Sequence, residues 1–313
     1  MLIFIARRLA MVCVMSLVMS VLVFGVTQVL PGDVTTMVLG QFATEAAKQE
    51  LREELGLTRS LPVQYGTWIT GFVLGDWGTS ISSQAPVFNL VMERLRNSLM
   101  LGFVGLMMFA PLGILLGLVA GLKQNSWTDH FLSVGSLGFI GLPEFVSGLI
   151  LIWVFAVQLG WLPASSAIPA GTGFVDAFPK LILPGVTVAL VGLAYVLRMT
   201  RASTVEVLRR DYVRTARLKG LPVRAVVFTH ILRNALTPTV TVIAVSIGWL
   251  VGGLIVTESV FGYPGLGRLA LFAIQRRDLP LMQATTMVIV VITMLANLVA
   301  DVIYTYLNPT IRY

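Results

Sequence analysis

Six apolar runs, separated by polar and turn-forming segments, divide this chain. They occupy residues 9–30, 99–122, 131–159, 181–197, 235–257 and 281–300. A helix needs ~20 mostly apolar residues to cross about 30 Å of hydrocarbon. Each run reaches or approaches that length, the fourth by extending a turn at either end. The third is long and contains Pro143, which lacks a backbone donor and predicts a kink or a partly looped segment. The first follows Arg7-Arg8, exceeds the apolar core of a secretion signal, and has no convincing small-residue cleavage site after it. It therefore reads as a retained helix.

Two polar segments stand out. Residues 31–98 form the larger one. Within it, Thr44 as N-cap, the helix formers Ala46, Ala47 and Leu51, and Gly56 as a stop predict a short helix over 44–56. Gly75-Asp76-Trp77-Gly78 then reads as a turn. The second segment, 201–234, is basic. From 205 to 219 its pattern suits an amphipathic helix at the membrane surface. Leu208, Tyr212, Thr215 and Ala216 fall on one face, while Arg210, Arg214 and Arg217 fall opposite. Gly220 ends the helix and Pro222 cannot continue it.

Composition agrees with the spans. Of 313 residues, 56% are hydrophobic and 12% charged, against about 25% charged in soluble domains. The chain reads as an all-α integral membrane protein, one transmembrane domain over 1–313. With the N-terminus inside, the inner segments carry 13 of the 22 Lys and Arg residues, whereas the outer segments hold 10 of the 15 acids. Both termini are therefore expected in the cytoplasm. The net charge of +7 clusters between spans. Without interleaved aromatics it does not point to nucleic acid. The lone Cys13 excludes a disulfide framework.

Inside the spans, Gly113, Gly117 and Gly121, and again Gly248 and Gly252, recur at spacings of four. Such small residues mark close helix contacts, static or sliding. Glu144, after Pro143, and Glu258, at the outer end of the fifth run, are ionisable groups where charge is costly. Each is a candidate for a polar pathway or for a buried structural hydrogen bond. His130 and His230 fall in inner loops, and no His-Glu-x-x-His helix occurs. No histidine at membrane depth is placed to activate Ser147. No Gly-Lys-Ser/Thr phosphate loop is present. The sequence thus offers no catalytic residues and no metal site, and energy must come from another chain or a gradient. Interrupted helix pairs in matching halves, the mark of many gradient-driven carriers, are not evident. On physical grounds the basic helix is either an anchor on anionic lipid or a docking element for a soluble protein.

At this helix the sequence resembles the permeases of ABC importers, in particular the dipeptide/oligopeptide/nickel branch. Residues from Asp211 through Tyr212, Arg214, Thr215, Ala216 and Arg217 to Gly220 resemble the cytoplasmic signature, followed by Leu232-Arg233-Asn234-Ala235-Leu236-Thr237-Pro238. Arg214 stands where the general signature has Glu. Leu30-Pro31-Gly32-Asp33, Leu55-Gly56-Leu57, Gly75-Asp76-Trp77-Gly78, Glu258-Ser259-Val260-Phe261, Pro264-Gly265-Leu266-Gly267-Arg268, Arg277-Asp278-Leu279-Pro280 and Asn308-Pro309-Thr310-Ile311-Arg312 follow in family order.

The resemblance implies the type I importer permease fold in a cytoplasmic (inner) membrane of a bacterium or archaeon. It implies a non-enzymatic subunit without a cofactor of its own. ATP and Mg would sit on two partner ATPase subunits, docked on the 205–220 helix. A second homologous permease would complete the pathway, and an extracytoplasmic binding protein would deliver cargo. Peptide is the expected cargo, with nickel chelate, glutathione or another small solute as alternatives. The same resemblance turns the basic helix from lipid anchor to coupling helix, with Tyr212, Thr215, Ala216 and Gly220 seated in an ATPase groove and the Arg face at its edge.

Overall fold

The structure, a computed structural model, describes residues 2–29, 35, 39, 42–54 and 56–307. The motifs at 30–33 and 308–312, and Leu55 of the Leu55-Gly56-Leu57 motif, lie outside the described residues. Helices α1 (Leu2–Val29), α2 (Glu45–Glu54), α3 (Leu61–Leu74) and α4 (Val87–Leu122) open the chain. Then come α5 (Trp127–Gly141), α6 (Glu144–Leu151) and α7 (Phe174–Leu208), followed by α8 (Asp211–Leu218), α9 (Arg233–Gly253), α10 (Ile255–Val260), α11 (Leu266–Arg276) and α12 (Leu279–Leu307). Wide π-type turns extend α6 through Ile152–Gln158 and lead into α9 over Val226–Leu232.

Five stretches are long and apolar enough to cross a membrane: Phe4–Val29, Val87–Leu122, Phe174–Leu208, Val223–Leu250 and Leu279–Thr305. The third run differs from a simple span. Trp127–Gly141 and Glu144–Gln158 meet at 106°. Leu142 carries extended backbone between them and Pro143 caps the second helix, because the residue before a proline is pushed out of the α region. Pro111, Pro179 and Pro184, by contrast, lie inside α4 and α7 without ending them. The fourth run extends furthest, from 181–197 to Phe174–Leu208. The fifth stops at Leu254, so Glu258 belongs to the separate short helix α10.

The chain forms two compact units, Met1–Ser98 with Pro264–Ile292, and Leu99–Tyr263 with Thr293–Tyr313. In the first, Val87, Val91, Leu266, Ala273 and Leu281 lie in a buried core. Thr27 of α1 accepts a hydrogen bond from Gln283 of α12 at 2.8 Å. Asp278 lies fully buried before α12. Its carboxylate accepts from the Ser80 hydroxyl at 2.6 Å and from the Ser82 hydroxyl and amide at 2.7 and 2.9 Å. That gives the Arg277-Asp278-Leu279-Pro280 motif its physical role: a capping acid that also pins a loop from far away in sequence. The expected helix at 44–56 is present, with Thr44 capping the Ala47 amide at 3.4 Å.

In the second unit, α4 and α7 approach through reciprocal small residues. A Cβ on Gly117 would fall 2.5 Å from the Leu197 carbonyl oxygen, and Cβ atoms on Gly113 and Gly121 would meet Val196 and Thr204. From the other side, Gly192 admits the Phe109 ring. Without a hydrophobic force between helices in lipid, this close backbone approach is what associates them. Thr200 of α7 and Thr239 of α9 share a buried hydrogen bond of 3.1 Å. Gly248 faces Asn297.

Candidate functional site

The basic segment folds as a seated helix with an outward face. α7 continues to Leu208, and Arg210 adopts extended backbone to begin a new helix at Asp211. The expectation of one helix from 205 to 219 is therefore corrected. Residues 205–208 belong to the long helix, and a two-residue corner at Arg209 and Arg210 redirects the chain. Glu206 and Arg210 form an exposed ion pair of 2.5 Å across that corner. Asp211 in the first turn and Arg217 in the last both complement the helix dipole.

The C-terminus of α8 closes as a Schellman motif. Gly220 takes φ 75°. Its amide donates to the Arg217 carbonyl, and the Leu221 amide donates to the Ala216 carbonyl. A left-handed residue at this position favours glycine, which accounts for the Gly of the signature.

The corner also changes which side chains face outward. Val213 and Ala216 are buried and pack in a cluster with Leu118, Val207, Val226, Ile231 and Ala235. Ala216 thus seats the helix on its own unit instead of facing a partner groove. Asp211, Tyr212, Arg214, Thr215, Arg217 and Gly220 are exposed. Beside them lie apolar side chains that the sequence reading passed over: Leu218 is 79% exposed, with Leu221, Val223 and Phe228 also outward. Leu218 and Leu221 fall outside the candidate spans, and apolar side chains exposed there beside charged ones mark an interaction surface. A cavity of about 530 Å³ adjoins α8, lined by Glu206, Arg210, Asp211, Tyr212, Asn234 and Thr237 among others. Asn234, Thr237 and Pro238 come from the downstream half of the signature, so the fold brings the two halves together.

The two pathway candidates also converge. Glu144 opens α6 just after the break. Its carboxylate accepts a hydrogen bond from the Thr257 hydroxyl of α10. The next residue, Glu258, is fully buried. Its carbonyl accepts from the Tyr263 amide at 2.8 Å, and the Phe261 carbonyl accepts from the Ser166 amide at 2.8 Å. Glu144 is only half-buried, so of the two it is the one with access to space beyond the protein.

Among the described residues no group of three or more His, Cys, Asp or Glu side chains is arranged to hold a metal. The broken span, the long apolar helices and the seated amphipathic helix define a polytopic helical membrane protein. The chain belongs to the family of binding-protein-dependent transport system inner membrane components. The family model matches residues 113–313, and the model of the N-terminal part of such components matches 1–102. It is a multi-pass inner-membrane component of a multi-subunit transporter.

Among its relatives, a probable peptide ABC transporter permease, y4tP of Sinorhizobium fredii, is 36% identical over 99% of both chains. The dipeptide transport system permease DppB of Alkalihalophilus pseudofirmus is 34% identical over 98% of both. The glutathione transport system permease GsiC of Escherichia coli is 38% identical over 95% of this chain and 94% of the relative. A crystal structure of an amino acid ABC transporter with histidines covers 70% of this chain and 94% of its own at TM-score 0.51 and 18% identity. That last likeness is one of fold.

Proposed function

We propose that this chain supplies half of the membrane pathway of an ATP-driven importer of short peptides. A second, homologous permease subunit completes the pathway. Two ATPase subunits, which carry ATP and Mg, dock on the outward face of α8. An extracytoplasmic binding protein presents the cargo. The observation that carries this reading is the pairing, in α8 and the turn that closes it, of a firmly buried face, Val213 and Ala216, with an exposed apolar and basic face, Leu218, Leu221, Arg214 and Arg217. A helix built this way transmits force, because a push on the outer face reaches α4, α7 and α9 through the buried one. ATP-driven closure of the ATPase pair would move the spans by that route. The Lys and Arg distribution supports placing α8 and both termini in the cytoplasm.

Peptide cargo is supported by the peptide and dipeptide relatives. Glutathione, itself a small peptide, falls in the same chemical class and is named for another relative at 38% identity. On this reading Glu144, at the break between α5 and α6, lines the pathway, Glu258 holds α10 and the turn after it in place, and the chain itself binds no metal or cofactor. Reconstitution in proteoliposomes with the partner subunits tests the whole reading. Uptake of a labelled dipeptide is expected to require ATP and the binding protein. Uptake driven by an ion gradient without ATP would overturn it.

A further inference from the structure

We infer that α3 is an interfacial helix lying in the plane of the membrane, with its outward face in the lipid headgroup–acyl boundary. This rests on the chain spanning an inner membrane and not on the identity of its cargo. Its 14 residues contain no charged side chain and none is fully buried. At 1.5 Å per residue the helix is about 21 Å long, too short to span. Yet it turns large apolar groups outward: Val73 and Leu74 are 77% and 79% exposed, and Leu61 and Val63 are about half so.

Its polar groups are arranged for an apolar surrounding. The exposed Thr67 and Thr70 hydroxyls donate to the Val63 and Gly66 carbonyls of their own helix, at 3.0 and 2.7 Å. They therefore present methyl groups outward. Gln64 donates to the Leu57 and Arg59 carbonyls, and the Tyr65 hydroxyl meets that of Ser20 at 2.8 Å. Polar groups satisfied within the protein are what lipid demands.

The depth follows from α1. The Phe24 ring of that span touches Tyr65 and Trp68 at centroid distances of 5.5 and 5.9 Å. Phe24 lies five residues from the end of the span at Val29, about 7.5 Å along the axis. Interfacial helices bury their apolar face about 5–10 Å into the boundary. Trp68 continues into an aromatic row through Phe72, Trp77 and Phe88, and Trp and Tyr favour this level of the bilayer. Both ends are polar: Arg59 and the N-cap Ser60 on one side, the left-handed Gly75 and Asp76 on the other. Neither end is suited to plunge, so the axis lies flat. The flanking charges cancel, so the surface suits uncharged lipid and needs no anionic headgroup.

The test places single cysteines, labelled with bimane, at Val63, Thr67 and Val73 in a Cys13→Ser background, with Glu53→Cys in polar α2 as reference. The protein is reconstituted in vesicles of zwitterionic lipid brominated either high in the acyl chain or near its end. High-chain bromine is expected to quench all three sites alike, roughly twofold more than the reference, and iodide to quench them less than it. Adding anionic lipid should change nothing. Iodide quenching equal to the reference, or stronger quenching by chain-end bromine at only one end of the helix, would overturn the inference.

Discussion

The Asp129 carboxylate accepts two hydrogen bonds from the Arg201 guanidinium, at 2.5 and 2.7 Å, and ties the first turn of α5 to α7. Asp129 is almost fully buried and also accepts from the Asn125 amide and the Ser133 hydroxyl. Arg201 keeps about a third of its side chain exposed. Breaking a buried pair leaves one charge uncompensated, at a cost of about 3–5 kcal/mol. Solvent at Arg201 puts this pair at the low end. Asp129→Asn should therefore cost about 3 kcal/mol, and the double change with Arg201→Met less than the sum of the two. A double-mutant cycle on thermal unfolding in detergent measures it, and strict additivity would contradict the pairing.

Gly117 makes the α4–α7 contact. Its missing Cβ would stand 2.5 Å from the Leu197 carbonyl, and backbone does not yield as a flexible side chain does. Gly117→Val should force the helices apart and lower the yield of folded, monodisperse protein. Gly135→Ala, with nothing within 4 Å, should be silent. Size-exclusion profiles of the two variants side by side decide this.

Asp278 holds the Ser80–Ser82 turn by three charge-assisted hydrogen bonds. Such bonds contribute about 1.5–3 kcal/mol each in the best cases, and the orphaned donors add to the loss. Asp278→Ala should destabilise by about 3 kcal/mol or more and speed proteolysis between residues 79 and 86. Asp278→Asn, which keeps one acceptor oxygen, should do both to a smaller degree. Unchanged cleavage rates in the alanine variant would show that the turn holds without the carboxylate.

The spans were legible because apolar length alone sets them, and the Pro143 break was legible as a kink because proline acts locally. Two features needed the three-dimensional structure. Gly66, Gly71, Gln64 and two threonines interrupt α3, so it looks like loop until α1 is seen to pack on it. The face of α8 was misread because a projection over 205–219 assumes one axis. The corner at Arg209 and Arg210 rotates the second helix, which turns Val213 inward and leaves Tyr212 at 43% exposure. The partners of Asp278 lie nearly 200 positions away in the chain, beyond the reach of any local pattern.

If ATPase subunits dock on α8 as proposed, its two faces should give separable phenotypes. Val213 is buried in the cluster with Val207, Val226 and Ile231, where loss of burial costs roughly 1–3 kcal/mol. Val213→Ala should lower the unfolding temperature and loosen the seat, weakening substrate-stimulated ATP hydrolysis while ATPase binding persists. Leu218→Glu should do the reverse. The side chain touches little of its own unit, so stability should be unchanged. A carboxylate placed on the apolar patch should nonetheless reduce co-purification of the ATPase subunits at least about tenfold, as loss of an anchor residue does at other interfaces. Gly220→Pro should fall between the two, since proline cannot adopt φ 75° and lacks the amide that donates to Arg217. If Leu218→Glu binds the ATPase normally and Val213→Ala does not, the outward face has been assigned to the wrong side chains.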